Sequence, residues 1–246
     1  MMIELKDLTK KYGDFEAVNN LTLSVQKGEV FGFIGPNGAG KTTTIKMMSG
    51  ILEPTKGTVS IAGINMHHEP EKAKRKIGFI PDRPYLYEKL SGIEFLKFTA
   101  DLYGVSEETF QASAYGILKK FSLADWADEL IESYSHGMKQ RLIMSAALLH
   151  DPEVIIVDEP MVGLDPAAII MVKALFRKLA GEGVTVFMST HTLKVAQDTC
   201  DRIGVINKGR LIATGTTQEL QRAANVSEAD LEQVFLNLTN NVPQRH

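Results

Sequence analysis

One cysteine, Cys200, among 246 residues excludes an internal disulfide and fits a reducing compartment. An excess of charge of one sign is missing as well. Lys and Arg number 27 against 30 Asp and Glu, and the net charge of −3 gives no electrostatic case for a nucleic-acid partner. The apolar runs are too short and too interrupted to span a bilayer. The start, Met1-Met2-Ile3-Glu4-Leu5-Lys6-Asp7, carries charge where a secretory leader needs an apolar stretch. Any membrane span that serves this protein is therefore expected in another chain. Internal repeats and low-complexity segments are also missing. What the chain does have is 44% hydrophobic residues, enough to fill one large domain or a core with a subdomain.

Polarity alternates in short stretches up to about residue 30, as in Leu21-Thr22-Leu23-Ser24-Val25, and this predicts antiparallel strands with one solvated face. Thr58-Val59-Ser60-Ile61 continues that style after the Pro54-Thr55-Lys56-Gly57 turn. Val154 to Val157, Thr185 to Met188 and Ile203 to Ile206 are instead short apolar runs between helical patterns, as buried parallel strands require. From Tyr85 to His150 no such run occurs. Phe95, Leu96, Leu102, Ile117, Leu118, Phe121, Trp126, Leu142 and Leu149 recur at helix-compatible spacings, which predicts an inserted segment that is helical throughout. Ser227 before Glu228 and Asp230, followed by Leu231, Val234, Phe235 and Leu238, predicts a capped amphipathic C-terminal helix. The fold class is α/β.

Chemistry enters at Gly35-Pro36-Asn37-Gly38-Ala39-Gly40-Lys41-Thr42, which fits the phosphate-loop pattern G-x-x-x-x-G-K-[ST]. The buried run Val30 to Ile34 precedes it, and a helix from Lys41 to Ser49 that Gly50 can close follows it. The glycines let backbone N–H groups converge on an anion at the positive end of the helix. Lys41 is expected to reach the terminal phosphates of a nucleotide, and the Thr42 hydroxyl to ligate Mg²⁺. Asp158-Glu159-Pro160 follows an apolar strand and puts two carboxylates where open α/β sheets bind ligands. Asp158 can hold the Mg²⁺ shell, and Glu159 can polarise a water aimed at the γ-phosphate. Ser189-Thr190-His191 ends the next strand likewise, so His191 is expected at the same edge, able to hydrogen-bond a γ-phosphate. A GTPase would need a guanine-reading Asn-Lys-x-Asp; Asn207-Lys208-Gly209-Arg210 lacks the final acid and reads as a hairpin turn.

These residues resemble the nucleotide-binding subunits of ATP-binding cassette (ABC) transporters along nearly the whole chain. Tyr134-Ser135-His136-Gly137-Met138-Lys139-Gln140-Arg141 stands where that family has its signature segment. The resemblance implies a P-loop NTPase core with a mostly parallel sheet, an N-terminal antiparallel β subdomain and an inserted helical subdomain. The implied division is 1–84 and 151–215 for the ATP-binding core, 85–150 for the helical subdomain and 216–246 for a helical tail. It further implies that ATP and Mg²⁺ are bound by Gly35 to Thr43 (Gly35, Pro36, Asn37, Gly38, Ala39, Gly40, Lys41, Thr42 and Thr43). Ser135 and Gly137 would serve an ATP held by a facing copy. Gly163-Leu164-Asp165-Pro166 matches the loop that crosses the dimer interface, with Asp165 also capping a helix, and Tyr12 matches the aromatic that stacks on adenine. The implied partners are an integral membrane permease and a second ATPase subunit, identical or related, at the cytoplasmic face of the cell membrane.

Two departures stand out. Asp82 occupies the place of the family's usual glutamine and is expected to act through the metal or its waters. Tyr134 and His136 replace the signature's leucine and first glycine. His136 tolerates positive φ and could contact phosphate as a cation, or else point to solvent. Together with the Leu231 to Leu236 run, these features resemble the ABC-2 type exporter subgroup, whose permease would dock near Asp82 and Tyr85-Leu86-Tyr87. A soluble non-transport ABC ATPase and a degenerate ATP-binding subunit are the alternatives.

Overall fold

In a computed structural model that describes residues 1–83 and 85–223, the early alternation becomes a hairpin of β1 (Ile3–Tyr12) and β2 (Phe15–Val25). Ile3, Leu5, Leu21, Leu23 and Val25 are buried, and their polar neighbours take the other face. The chain then enters a second sheet as β3 (Val30–Ile34), buried at every position, and α1 (Lys41–Met48) follows the glycine loop. Gly50 closes α1 with φ 68°, as its position predicts. β4 (Lys56–Ile61) and β5 (Ile64–Asn65) return to the first sheet, whose order is β2-β1-β4-β5 with all pairings antiparallel.

A short α2 (Pro70–Arg75) leads to β6 (Ile77–Ile80). Next come α3 (Gly92–Tyr103), α4 (Glu107–Lys120) and α5 (His136–Ala147). α3 starts at a reciprocal cap: Ser91 Oγ accepts from the Glu94 N–H at 3.3 Å, and Glu94 returns the bond to the Ser91 N–H at 2.8 Å. The segment is not helical throughout. Between Phe121 and Ser135 the chain makes only two 3₁₀ turns, 124–126 and 131–133, with Leu130 bridged to Ser91. Leu102 and Trp126, two of the residues at helix-compatible spacings, are 68% and 44% exposed. Helical spacing reports a stripe of residues, not whether a partner covers it. Leu102 stands two turns after Phe95 on the same side of α3, yet α3 buries Phe95, Leu96 and Ala100 and leaves Leu102 exposed.

The remaining elements alternate strand and helix except at the β-hairpin near residue 208. They are β7 (Val154–Asp158), α6 (Pro166–Gly181), β8 (Thr185–Thr190), α7 (Leu193–Thr199), β9 (Arg202–Asn207), β10 (Arg210–Gly215) and α8 (Thr217–Ala223). The second sheet runs β10-β9-β3-β8-β7-β6, parallel except for the hairpin partner β10. Its two faces follow the period of two. Phe31, Phe33, Val154, Ile156 and Phe187 pack with α1 and the first sheet, while Val30, Ile155, Val157, Val186 and Met188 pack with α3 to α6. Phe187 lies 5.6 Å from Phe31 and 5.4 Å from Phe33, centroid to centroid.

His150, just past α5, ties the helical segment to β6. Its ring stacks on Tyr103 at 3.7 Å, its Nε2 bonds the Ile77 carbonyl at 3.0 Å, and its Nδ1 is buried without a partner. Burial pushes the His150 pKa down, against the pull of the Ile77 carbonyl. Cys200 is buried beneath β3, its sulfur 2.7 Å from where a β-carbon on Gly32 would sit, and burial pushes its thiol up to about 12. The predicted C-terminal helix from Ser227 lies outside the described residues.

Candidate functional site: a nucleotide cleft at the sheet edge

The C-terminal ends of β3, β7 and β8 meet at one edge, where a cleft of about 520 Å³ opens between them and the β1–β2 hairpin. It gathers most of the residues that the sequence singled out: Tyr12, Asn37 to Thr43, Asp82, Asp158, Glu159 and His191.

Lys41 lies at the base of α1. Its ammonium donates to the carbonyls of Gly35 and Pro36 at 2.7 and 3.2 Å, so the loop holds its own cation in place. Burial pushes the Lys41 pKa down, and the carboxylates of Glu159 and Asp158 oppose that shift. From the next residue, Thr42 Oγ1 donates to Asp158 Oδ2 at 2.9 Å. Asp158 is 3% exposed, and its other oxygen accepts from the Ser189 hydroxyl. These two residues are register partners across β7 and β8, which is why the hydroxyl reaches the carboxylate.

Glu159 follows with φ 51°, a left-handed conformation that a glutamate rarely adopts. The strain is offset by two bonds from its N–H, to Ser189 O at 3.2 Å and Ser189 Oγ at 3.3 Å. That twist swings the side chain to His191, whose Nδ1 lies 2.9 Å from Glu159 Oε1. The histidine is half exposed and the glutamate mostly buried.

Tyr12 and Phe15 flank the hairpin turn as a register pair, and both line the cleft while exposed to 50% and 65%. The Lys10 ammonium stands over the Tyr12 ring, 5.5 Å from its centroid. Sequence reading missed Phe15 and Ser189. Phe15 is legible as the cross-turn partner of Tyr12, while nothing in a lone serine on a strand announces that it will bond both the Asp158 carboxylate and the Glu159 backbone N–H.

Thr42, Asp158 and Asp82 offer hard oxygen donors, which suit Mg²⁺. Among the described residues no group of three or more His, Cys, Asp or Glu is placed to hold a metal by itself. Such a thin donor set fits an ion shared with substrate phosphates.

Ser135, Gly137 and Asp165 lie outside the cleft lining. Ser135 caps α5 by accepting from the Met138 N–H at 3.3 Å, and Gly137 sits in the first turn. Asp165 caps α6, accepting from the Ala168 N–H at 2.8 Å with Pro166 in the first turn. His136 is the first residue of α5, in helical conformation, so it needs no positive φ; its side chain is exposed, as the solvent-facing alternative expects, with one edge of the ring against Gly163. Tyr134 is buried, and its hydroxyl donates to the Trp126 carbonyl.

A family model described as ABC transporter matches residues 18–162, which hold the glycine loop, the segment at Ser135 and the paired carboxylates. The chain belongs to the ABC transporter family. The cassette is 36% identical over its whole length to the probable multidrug ABC transporter ATP-binding protein YbhF of Escherichia coli, and spans 43% of that protein. It thus covers less than half of the length of this relative. The linearmycin resistance ATP-binding protein LnrL of Bacillus subtilis is 38% identical over 89% of this cassette and 70% of LnrL. The dimeric structure of MJ0796, a bacterial ABC transporter cassette, superimposes with TM-score 0.81 at 30% identity, covering 87% of this chain and 98% of that one. MJ0796 has also been solved as a post-hydrolysis dimer bound to ADP and Pi. Among the described residues of the cassette, no helix is long and apolar enough to cross a membrane.

Proposed function

We propose that the chain is the ATP-binding and hydrolysing subunit of an ABC exporter. In this reading it dimerises head to tail around two ATP molecules and drives a separate integral membrane permease. The observation that carries the reading is the convergence of the Lys41 loop, the Thr42–Asp158 pair and the Glu159–His191 pair at one sheet edge. A second capped helix start, at Ser135, lies apart from them.

ATP would enter with its base against Tyr12 and its phosphates on the backbone N–H groups of Gly35 to Thr43. Lys41 would exchange two carbonyls for phosphate oxygens. Thr42 and Asp158, with Asp82 beside them, would hold Mg²⁺, which spreads the charge of the β- and γ-phosphates when bound. Glu159 takes the proton of the attacking water, and His191 steadies the charge that develops on the γ-phosphoryl group. Ser135 and Gly137 cannot serve the cleft of their own chain, which supports a role on the nucleotide of a facing copy, identical or related. Asp165 would lie at that interface. The names of YbhF and LnrL support export, and the permease would hold the cassette at the cytoplasmic face of the cell membrane.

The test is Glu159→Gln. The variant should bind ATP, release phosphate about 10²- to 10⁴-fold more slowly, and elute as a dimer with ATP on a sizing column. A persistent monomer with unchanged turnover would sink the reading. Co-purification from solubilised membranes should then bring down a polytopic chain; its absence would favour a soluble ATPase.

A further inference from the structure

The ring of His136 occupies the space that a side chain at Gly163 would need. A β-carbon built on Gly163 would come within 2.5 Å of His136 Cδ2 and 2.7 Å of its Nε2, and Gly163 holds φ +75°. The neighbouring residues meet as well: Leu164 Cδ2 lies 4.0 Å from the β-carbon position of Gly137. The start of α5 and the loop before α6 thus touch within one protomer. That loop is short and internally bonded. The Val162 N–H donates to the Glu159 carbonyl at 3.2 Å, and the Leu164 N–H to the Met161 carbonyl at 3.4 Å. A displacement at Gly163 therefore has four residues of turn in which to reach Glu159, whose own backbone is held in a strained conformation.

We propose that His136 is a positioning residue: its ring, packed on Gly163, couples the start of α5 to the placement of Glu159. In this way the helix end offered to a facing copy's nucleotide and the base of the chain's own cleft are set together. This deepens the function proposed above and rests on it. The role is one of shape, not charge. The ring fills the gap that glycine leaves, so a phenyl ring should serve and a hydrogen should not.

The experiment is a double-mutant cycle of His136→Gly and Gly163→Ala, read both by melting temperature without nucleotide and by phosphate release. Gly163→Ala should displace the ring, and the double variant should lose less than the two single losses combined. His136→Gly should lower kcat by about 10- to 100-fold while the affinity of the monomer for a fluorescent ATP analogue changes little, since misplacement by an ångström has that effect. His136→Phe should restore most of the loss, with an unaltered pH profile. Additive melting shifts would overturn the contact. A kcat for His136→Gly within twofold of wild type, or no rescue by phenylalanine, would overturn the positioning role. A wild-type chain without turnover would instead overturn the function proposed above, and this inference with it.

Discussion

Glu159 Oε1 and His191 Nδ1 stand 2.9 Å apart, and that bond decides the tautomer of the imidazole. With the Nδ1 proton given to the carboxylate, the far nitrogen of a neutral ring is an acceptor, unable to donate to a phosphoryl oxygen. Donation from Nε2 then requires a second proton, and donation from Nδ1 requires release of Glu159. His191→Ala should lower kcat about 10²- to 10³-fold with a smaller change in nucleotide affinity. His191→Gln, which keeps a neutral donor, should recover part of the rate. If phosphate release shows the glutamine variant no better than the alanine, hydrogen-bond donation by residue 191 is excluded.

Asp158 accepts from both Thr42 and Ser189, so an amide at this place turns one of two satisfied acceptors into a misplaced donor. Asp158→Asn should weaken the apparent Mg²⁺ affinity of the ATP complex about 10- to 100-fold, measured by titrating Mg²⁺ into a nucleotide-binding assay. Asp82 is exposed at the rim of the same cleft, so Asp82→Ala should move the titration in the same direction by less. An unmoved Mg²⁺ midpoint for Asp82→Ala, with unchanged turnover, would remove Asp82 from the metal's surroundings.

Two glycines of the phosphate loop should respond differently to alanine. Gly40 has φ 107°, and a β-carbon there would lie 2.5 Å from the Ala17 carbonyl oxygen; Gly38 has φ 77° with nothing within 4 Å. Gly38→Ala carries only the left-handed penalty, about 1–2 kcal/mol. Gly40→Ala adds a collision with backbone and should be visibly less stable in urea melts. Equal losses in the two variants would contradict the steric account.

His150 predicts a pH slope. Burial lowers its pKa in the folded chain, so as pH falls through about 6.5 the unfolded chain takes up a proton first and stability drops. The contribution is complete above the unfolded value and is lost towards acid. His150→Phe keeps a ring against Tyr103 but loses the Ile77 bond. It should start less stable at pH 8 and lose less stability than wild type between pH 7.5 and 5.5. Parallel urea-midpoint curves for the two proteins would rule out His150 as the source of the slope.

The cleft was legible because its residues sit at strand ends, where topology leaves little choice. An apolar run of β length followed by Asp158-Glu159, and another followed by His191, must deliver both to one edge of a parallel sheet. The hairpin at Asn207 to Arg210 was legible for a similar local reason, with Lys208 and Gly209 both at positive φ. What escaped depends on distant partners. Periodicity could not show that Trp126 falls on a 3₁₀ turn at the surface, or that Ser189 would serve both Asp158 and the Glu159 backbone. The contact of His136 with Gly163 joins residues far apart in the chain, and the docking of Lys41 on its own loop reflects an electrostatic need that no spacing records.

The depth of Cys200 has a practical side. A thiol held at about 12 supplies almost no thiolate near neutral pH, and the packed β3 backbone at Gly32 shields it from reagents. The natural sequence is therefore already a silent background for labelling. A cysteine introduced at an exposed position away from the cleft, such as Tyr85, would be the one thiol that a maleimide dye finds, so opening and closing of a dimer could be followed by fluorescence with the native cysteine left in place.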